Sequence, residues 1–575
     1  MRGYQPIFLS LLAVTFNRAV EFISRCIWFE LRTETRTKKL SWRFWRLEQT
    51  ETENRIRTKR HIINILMEIM KPGGLLRKAD KIYRLICHGD LARSGSTMPD
   101  LTAVRYKVKR GPFGEITGTH VNFFQQLLGH NRVITDPNEC DAYNVDWVKT
   151  VRGSSRLVLK PKTTDEVKEI LKFCNDNRLA VCPQSGNTGL VGGSVPVFDE
   201  IVLSMKMMNK IISIDQLSGA LVCEAGCVLE VLEKYAEQYG LMMPLDLGAK
   251  GSCLIGGNIS TNAGGQRLLR YGNLHGSVLG LEAVTADGRV IDSISTLKKN
   301  NTGYHLKNLF IGSEGTLGVV TKVAIQCPTR PLAQNVAFVG LNSFDKVLKT
   351  FVLAKEKLAE ILSACEMIDS WSMGISTDLL HLKSPLGQKH QFYMLIETSG
   401  SNQEHDEDKL TSFLESAMAE ELIEDGTMSG DPAKIKNIWE VRERLGEGCL
   451  RDGYCFKYDV SLPLPHFYKL IEALHERLDT SRIVRISGFG HLGDGNLHVI
   501  VATPEYDPEI ESQLEPFLFE YVSEQRGSVS AEHGIGFKKT KYLSYSKDKS
   551  AIQLMKEIKS LMDPNGILNP YKVLP

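Results

Sequence analysis

Residues 183–196 read PQSGNTGLVGGSVP. Gly186, Gly189, Gly192 and Gly193 crowd into eight residues, directly after the apolar run Ala180–Cys182, which reads as a strand. Such density permits positive φ angles and bares a row of backbone N–H groups, the make-up of a phosphate-binding loop. No Gly-Lys-Ser/Thr follows, so the stretch is not a Walker loop. Two further stretches repeat the composition. LGAKGSCLIGGNISTNAGGQRLLRYGNLHG, from Leu247 to Gly276, sets Gly256, Gly257, Gly264 and Gly265 among Ser252, Asn258, Thr261 and Asn262. FIGSEGTLGVVTKVAI carries Gly312, Glu314, Gly315 and Gly318 into an alternating strand. One loop of this kind is also what a bulge or an ordinary turn looks like. Three within about 130 residues, rich in short hydroxyl and amide side chains, point to a ligand of dinucleotide size laid along backbone.

The surrounding chain alternates between strand and helix. Leu157–Leu159 is a short strand that stops at Pro161. TTDEVKEILKFCNDN then shows the Thr163–Glu166 spacing of a capping box and an apolar stripe at Val167, Ile170, Leu171 and Cys174, which predicts a helix. A length of 575 residues supports two or more domains. The net charge of +2, with no concentrated basic stripe, argues against a nucleic-acid binder. The 12 cysteines form no CxxC pair and read as buried free thiols of a reducing compartment.

The first hundred residues differ. Over Met1–Pro99 there are 19 Lys+Arg against 9 Asp+Glu. The apolar run Ile7–Phe16 is far shorter than the ~20 residues a bilayer requires. Residues 1–100 are therefore expected to be a leader, targeting or disordered extension. From Met70 onward, MKPGGLLRKADKIYRLICHGDLARSGS has the composition of a mitochondrial presequence by itself.

Near the other end, GFGHLGDGNLH spans 488–498. It contains GxGxxG, but a β-branched run follows instead of the helix that a dinucleotide fingerprint needs. Asp494-Gly495 is a two-residue hairpin signal, which would set His491 opposite His498 with Cβ atoms ~4.5–5.5 Å apart. Two such imidazoles can share a divalent ion, and Glu532 beside His533 in SAEHGIG offers a third ligand. Paired surface histidines are the plainer alternative, and the residues alone leave both open.

PQSGNTGLVGGSVP, GGNISTNAGG and GSEGTLG closely resemble the flavin loops of the vanillyl-alcohol-oxidase/p-cresol-methylhydroxylase (PCMH) family. The likeness runs from about residue 110 to Pro575; PLDLGAKGSC, LFIGSEGTLG, SAEHGIGFKK and GILNPYK place it in the branch that oxidises D-2-hydroxy acids. It implies an α+β fold: a two-lobed PCMH-type FAD-binding domain over 101–330, an α/β cap (substrate) domain over 331–480, and a C-terminal segment over 481–575 that carries a metal site and closes on the FAD domain. It implies FAD held by Gly186, Asn187, Thr188, Gly189, Gly192, Gly193, Ser194, Ser252, Gly256, Gly257, Asn258, Thr261, Asn262, Gly264, Gly265, Glu314, Gly315, Gly318 and Asn496. The resemblance implies non-covalent binding, because Asn187 lies in the loop where covalent members carry a histidine.

The same resemblance implies Zn2+ or another divalent metal on His491, His498 and Glu532, with His533 contacting substrate and taking its hydroxyl proton. Arg442 and Lys457 would hold the far carboxylate of a 2-hydroxy dicarboxylate. The implied activity is oxidation of D-2-hydroxyglutarate to 2-oxoglutarate in the mitochondrial matrix, without stable membrane insertion and with electron-transfer flavoprotein as electron acceptor. Three positions depart from the family pattern: Ser185 for Gly, Gly446 for Thr and Ile500 for Asn. The last two keep a D-lactate-type dehydrogenase open as the alternative. A non-catalytic flavoprotein is a third reading, and the intact His491, His498, Glu532 and His533 argue against it.

Overall fold

The computed structural model describes residues 99–575, so the extension expected over 1–100 lies outside the described residues apart from Pro99 and Asp100. Three sheets organise the described chain, in the α+β arrangement the sequence predicts. The first has the order β1-β2-β4-β3, from β1 (Val133–Ile134), β2 (Val158–Leu159), β3 (Val181–Gln184) and β4 (Ile201–Ser204). Its strands β2, β4 and β3 run parallel, and Val158, Leu159, Val202 and Leu203 are fully buried, as a sheet covered on both faces requires. Helix Thr164–Asp176 covers it with the predicted stripe of Val167, Ile170, Leu171 and Cys174. Thr163 caps this helix by accepting the Glu166 N–H. The Glu166 carboxylate does not complete the capping box; it forks instead onto the Arg132 guanidinium at 2.5 and 2.8 Å.

The second sheet is antiparallel, in the order β5-β6-β9-β7-β8: β5 (Ile211–Asp215), β6 (Ala220–Glu224), β7 (Val278–Val284), β8 (Val290–Ser293) and β9 (Val319–Gln326). The glycine loops lie between strands of these two sheets.

The third sheet holds seven antiparallel strands: β10 (Ala333–Leu341), β11 (Leu362–Asp369), β12 (Phe392–Gly400), β13 (Asp425–Ser429), β14 (Tyr454–Ser461), β15 (Arg485–His491) and β16 (Asn496–Thr503), in the order β13-β10-β12-β11-β15-β16-β14. Side chains alternate across it. Val339, Met367, Met394, Val499 and Val501 enter one core, and Phe338, Ile368, Leu395, Phe489 and Ile500 enter another. The expected limit at residue 480 does not coincide with a break in this sheet. β15 and β16 belong to the sheet that β10 begins, because Ile486, Val499 and Val501 bury in the same core as Met367.

After β16 the chain travels back to the first sheet. Val181 gives its N–H to Ile567 O at 2.8 Å and accepts the Asn569 N–H at 2.7 Å, so the last residues extend the free edge of β3. Among the described residues, no helix is long and apolar enough to cross a membrane.

Candidate active site

The three glycine loops converge on one open cleft. Gly186, Asn187, Thr188, Gly189, Gly193 and Ser194 line it from the first loop, Gly256, Gly257, Asn258 and Thr261 from the second, and Glu314, Gly315 and Gly318 from the third. A Cβ added at Gly186 would stand 2.5 Å from Ser252 O, so the first two loops approach backbone to backbone with no room for a side chain. The amide oxygen of Asn258 is buried at the cleft without a partner. A ligand carrying an N–H donor would satisfy it, and the isoalloxazine of FAD is such a ligand. The cleft fits FAD on these grounds.

Six of the residues expected to contact flavin are not among the residues lining this cleft. Gly192, at φ +70, packs on Val151. Ser252 turns its hydroxyl to Ala249 O. Asn262 ends helix Ile255–Thr261 in the left-handed region and accepts the His275 N–H at 3.0 Å. Gly264 and Gly265 serve Glu532: Gly265 N–H donates to its carboxylate at 2.7 Å, and a Cβ on Gly264 would come within 2.8 Å of the same oxygen. Asn496 is buried in the third sheet, donating its amide to Asp459 Oδ1 at 2.8 Å.

Glu314 has a double part. It lines the cleft at φ 52, and its carboxylate oxygens accept the N–H groups of Ile535 and Gly536 at 2.7 Å each. Burial raises its pKa, while those two N–H groups oppose the rise. The third glycine loop is thereby tied to the segment that follows His533, and His533 itself lines the cleft.

The metal-ligand candidates lie on one face of the third sheet. Their hairpin is not the two-residue turn that Asp494-Gly495 predicts. His491 pairs with Asn496 and Phe489 with His498, leaving Leu492–Gly495 as a four-residue connection. Leu492 is the cause. It is fully buried in the core that Met367 and Val499 enter and gives its N–H to Cys365 O on β11 at 2.9 Å, so it cannot pair with Leu497. A shift of two residues preserves the face, because the side-chain period of a strand is two. The His491 and His498 rings therefore still meet, with centroids 5.5 Å apart.

Two buried carboxylates organise this face. β11 sets Glu366 opposite His491, and the His491 Nδ1–Glu366 Oε1 distance is 2.7 Å. Glu366 Oε2 also accepts the Arg442 Nε–H at 3.0 Å, and Nη2 of that guanidinium lies 2.9 Å from the same oxygen but is buried without a hydrogen-bond partner. Burial opposes its charge, but His491 and Arg442 hold its carboxyl below the ordinary range. Arg442 is delivered by helix Pro432–Glu443, which Asp431 caps and whose Ile435, Ile438 and Trp439 bury against the sheet. Its guanidinium also lies 4.7 Å from the centre of the Phe489 ring.

On the other side, β14 sets Asp459 opposite His498. Asp459 Oδ2 accepts the backbone N–H groups of Ala531, Glu532 and His533 at 3.1, 2.9 and 3.1 Å. Nδ1 of His498 and Nδ1 of His533 each lie 3.6 Å from its carboxylate. Burial works against this charge too, and His533, Lys539 and His498 prevail, holding the carboxyl well below its usual range.

Asp459 thus folds the segment that presents Glu532. One ligand atom each from His491, His498 and Glu532 lie within 4.8 Å of one another, with His491 Nε2 3.7 Å from Glu532 Oε1. Two imidazoles and a carboxylate are the donor set of a zinc-type divalent ion, and each imidazole has a carboxylate on its far side. The residues fit such an ion. Lys457 lies two residues before Asp459 on the same face, donates to Gly446 O at 2.7 Å and stands opposite buried Ile500.

Neither Glu366 nor Asp459 is among the residues singled out from sequence. A signal existed for one of them: in LSACEMID, a buried apolar strand, the single glutamate is the anomaly.

Comparison with known proteins agrees with this geometry. The family models "FAD binding domain" and "FAD linked oxidases, C-terminal domain" match residues 155–293 and 330–573. The mitochondrial D-2-hydroxyglutarate dehydrogenase of Rattus norvegicus is 52% identical over 491 residues, covering 85% of this chain and 91% of the relative. The chain belongs to the D-2-hydroxyglutarate dehydrogenase family. Saccharomyces cerevisiae has a D-2-hydroxyglutarate–pyruvate transhydrogenase that is 46% identical over 487 residues, covering 82% of this chain and 98% of that protein. Among solved structures, p-cresol methylhydroxylase with bound substrate superposes with a TM-score of 0.64 at 16% identity, over 79% of this chain and 96% of that one, and shares the fold. Within the D-2-hydroxyglutarate dehydrogenase family, this chain is an FAD-dependent dehydrogenase.

Proposed function

We propose that this chain oxidises D-2-hydroxyglutarate to 2-oxoglutarate in the mitochondrial matrix, using non-covalent FAD and a divalent metal, zinc or a similar ion, on His491, His498 and Glu532. The carrying observation is that His533 lines the flavin cleft while its neighbour Glu532 completes the two-histidine cluster. When bound, FAD supplies a two-electron acceptor, and the ion supplies a Lewis acid that lowers the pKa of the substrate hydroxyl.

The protein's own part is orientation and proton transfer. His533 turns Nδ1 toward Asp459, which leaves Nε2 to accept the hydroxyl proton. The Glu314 bonds to Ile535 and Gly536 keep that imidazole against the cleft. Arg442, clamped by Glu366, keeps further N–H donors for the distal carboxylate, and Lys457 adds a second cation on the same face. Asn187 favours non-covalent flavin, since an amide offers no nucleophile to bond the flavin, and its side chain donates to Val145 O and accepts from Ser194 Oγ. Electron-transfer flavoprotein is the acceptor we assign to the reduced enzyme.

The test is anaerobic mixing of purified protein with D-2-hydroxyglutarate, following the oxidised flavin absorbance with and without a chelator. Rapid, chelator-sensitive bleaching is expected; bleaching unaffected by metal removal would overturn the metal assignment. D-lactate is the second reading, favoured by Ile500, which is 2% exposed and sets apolar bulk opposite Lys457. Faster bleaching by D-lactate than by the dicarboxylate would establish it.

Gly264 offers an independent check of the ligand set. Gly264→Ala forces the Glu532 carboxylate aside, so affinity for Zn2+ should drop about 10–100-fold in competition with a chromophoric chelator. Unchanged affinity would remove Glu532 from the ligands.

A further inference from the structure

Near its end the chain makes a set of contacts that the reaction as described does not use. Asn569 is 2% exposed and donates its side-chain amide to two carbonyls, Gly193 O at 2.9 Å and Glu314 O at 2.8 Å. Gly193 belongs to the first glycine loop and Glu314 to the third, and both line the flavin cleft. The remaining atom of that amide, Oδ1, accepts Lys572 Nζ at 2.6 Å. We propose that Asn569 is a positioning residue for the flavin: it clamps the first glycine loop to the third, and Lys572 sets the direction of the clamp.

The direction follows from donor chemistry. An ammonium group has donors only, so it must face the amide oxygen. That choice aims both amide hydrogens at the two loops, and a flipped amide would set its oxygen against their carbonyls. Lys572 is itself 4% exposed, with Cys182 Sγ at 3.2 Å. The ammonium is therefore held in place by its surroundings.

The backbone adds a second line of argument. Asn569, Tyr571 and Val573 have φ of 44°, 67° and 69°. Asparagine tolerates this region, whereas a β-branched valine in it is strained. Strain of that kind persists only where the surroundings over-determine it. Here Val573 donates its N–H to Gly536 O at 2.9 Å, and Gly536 is one of the two residues held by the Glu314 carboxylate. Lys559 adds a parallel tie, donating to Thr316 O in the third loop at 2.7 Å and to Leu568 O at 2.9 Å. The terminal residues thus touch the first loop, the third loop and the segment after His533. The inference rests on the flavin cleft alone and is independent of the substrate.

The experiment is titration of apoprotein with FAD, read by quenching of flavin fluorescence, beside urea unfolding of the same apoprotein. Asn569→Asp replaces both donors with an anion facing two carbonyls, and Asn569→Ser removes the reach to both while remaining neutral. Each should weaken FAD binding about tenfold or more, the size expected for one or two lost hydrogen bonds in a buried setting. Deletion of Leu574 and Pro575, outside the clamp, should leave the affinity unchanged. If both folded variants bind FAD as tightly as the parent and lose only resistance to urea, Asn569 is a structural residue and the proposal fails. If the parent apoprotein itself binds no FAD, the flavin reading fails first, so the two failures are distinguishable.

Discussion

Replacing His533 with Asn should slow anaerobic flavin reduction by D-2-hydroxyglutarate about 10²–10⁴-fold, the range lost when a general base is removed. FAD content should stay at the parent level, because His533 bounds the cleft but belongs to none of the three loops that make it. The Zn2+ affinity should change little, since His491, His498 and Glu532 form the close set without it. The discriminating feature is which constant moves. A residue that only binds substrate would raise KM with the rate at saturation preserved, whereas a proton acceptor lowers the rate at saturation. A saturated reduction rate within a few-fold of the parent would remove His533 from proton transfer. The side chain stands 23° from parallel to the His498 ring at 6.2 Å, so Asn, which is smaller and neutral, creates no clash there.

The second large effect is expected at Asp459. Asp459→Asn should destabilise the protein by about 3 kcal/mol and abolish high-affinity metal binding together. One carboxylate oxygen now serves three consecutive backbone N–H groups, the other takes the Asn496 amide, and buried Lys539 lies close by, donating to the Asp459 backbone carbonyl. An amide has one acceptor oxygen, so either the loop N–H groups or Asn496 would face an –NH2. Leaving buried donors unmatched costs about 1–3 kcal/mol each, and an uncompensated buried cation adds to that. The metal effect follows because the bonds to Ala531, Glu532 and His533 are what present Glu532 to His491 and His498. Urea unfolding of the metal-free protein reads the first effect, and chelator competition reads the second. Loss of metal affinity with parental stability would contradict the account, as would the reverse.

These predictions fall on residues of very different legibility. The helix over Thr164–Asp176 was readable because a cap and an apolar stripe are written in adjacent residues, and it forms as expected. The glycine loops were readable for the same reason: a backbone that must be bared to a ligand requires glycine in the chain itself. His491, His498, Glu532 and His533 announce themselves by residue type, and they do come together. The hairpin that carries the two histidines did not follow its own turn signal. Asp494-Gly495 favours a two-residue turn locally, but Leu492 gains full burial and a hydrogen bond to Cys365 on a third strand, and no pattern inside the hairpin encodes that competitor.

Local pattern alone settles the glycine loops of the cleft, the residue types that cluster at His491, His498, Glu532 and His533, and the face each histidine occupies, since strand period survives a register shift of two. Long-range packing sets the register, the pairing of Glu366 with His491 and Arg442, the placement of Asp459 beneath Glu532 and His533, and the contact of Gly264 and Gly265 with a carboxylate far along the chain. The physical reason is common to all of them. A cap, a turn or a glycine loop is set by backbone preferences within a few residues, whereas a buried charge is tolerable only where distant strands supply its partners, and those partners are chosen by sheet order and core packing.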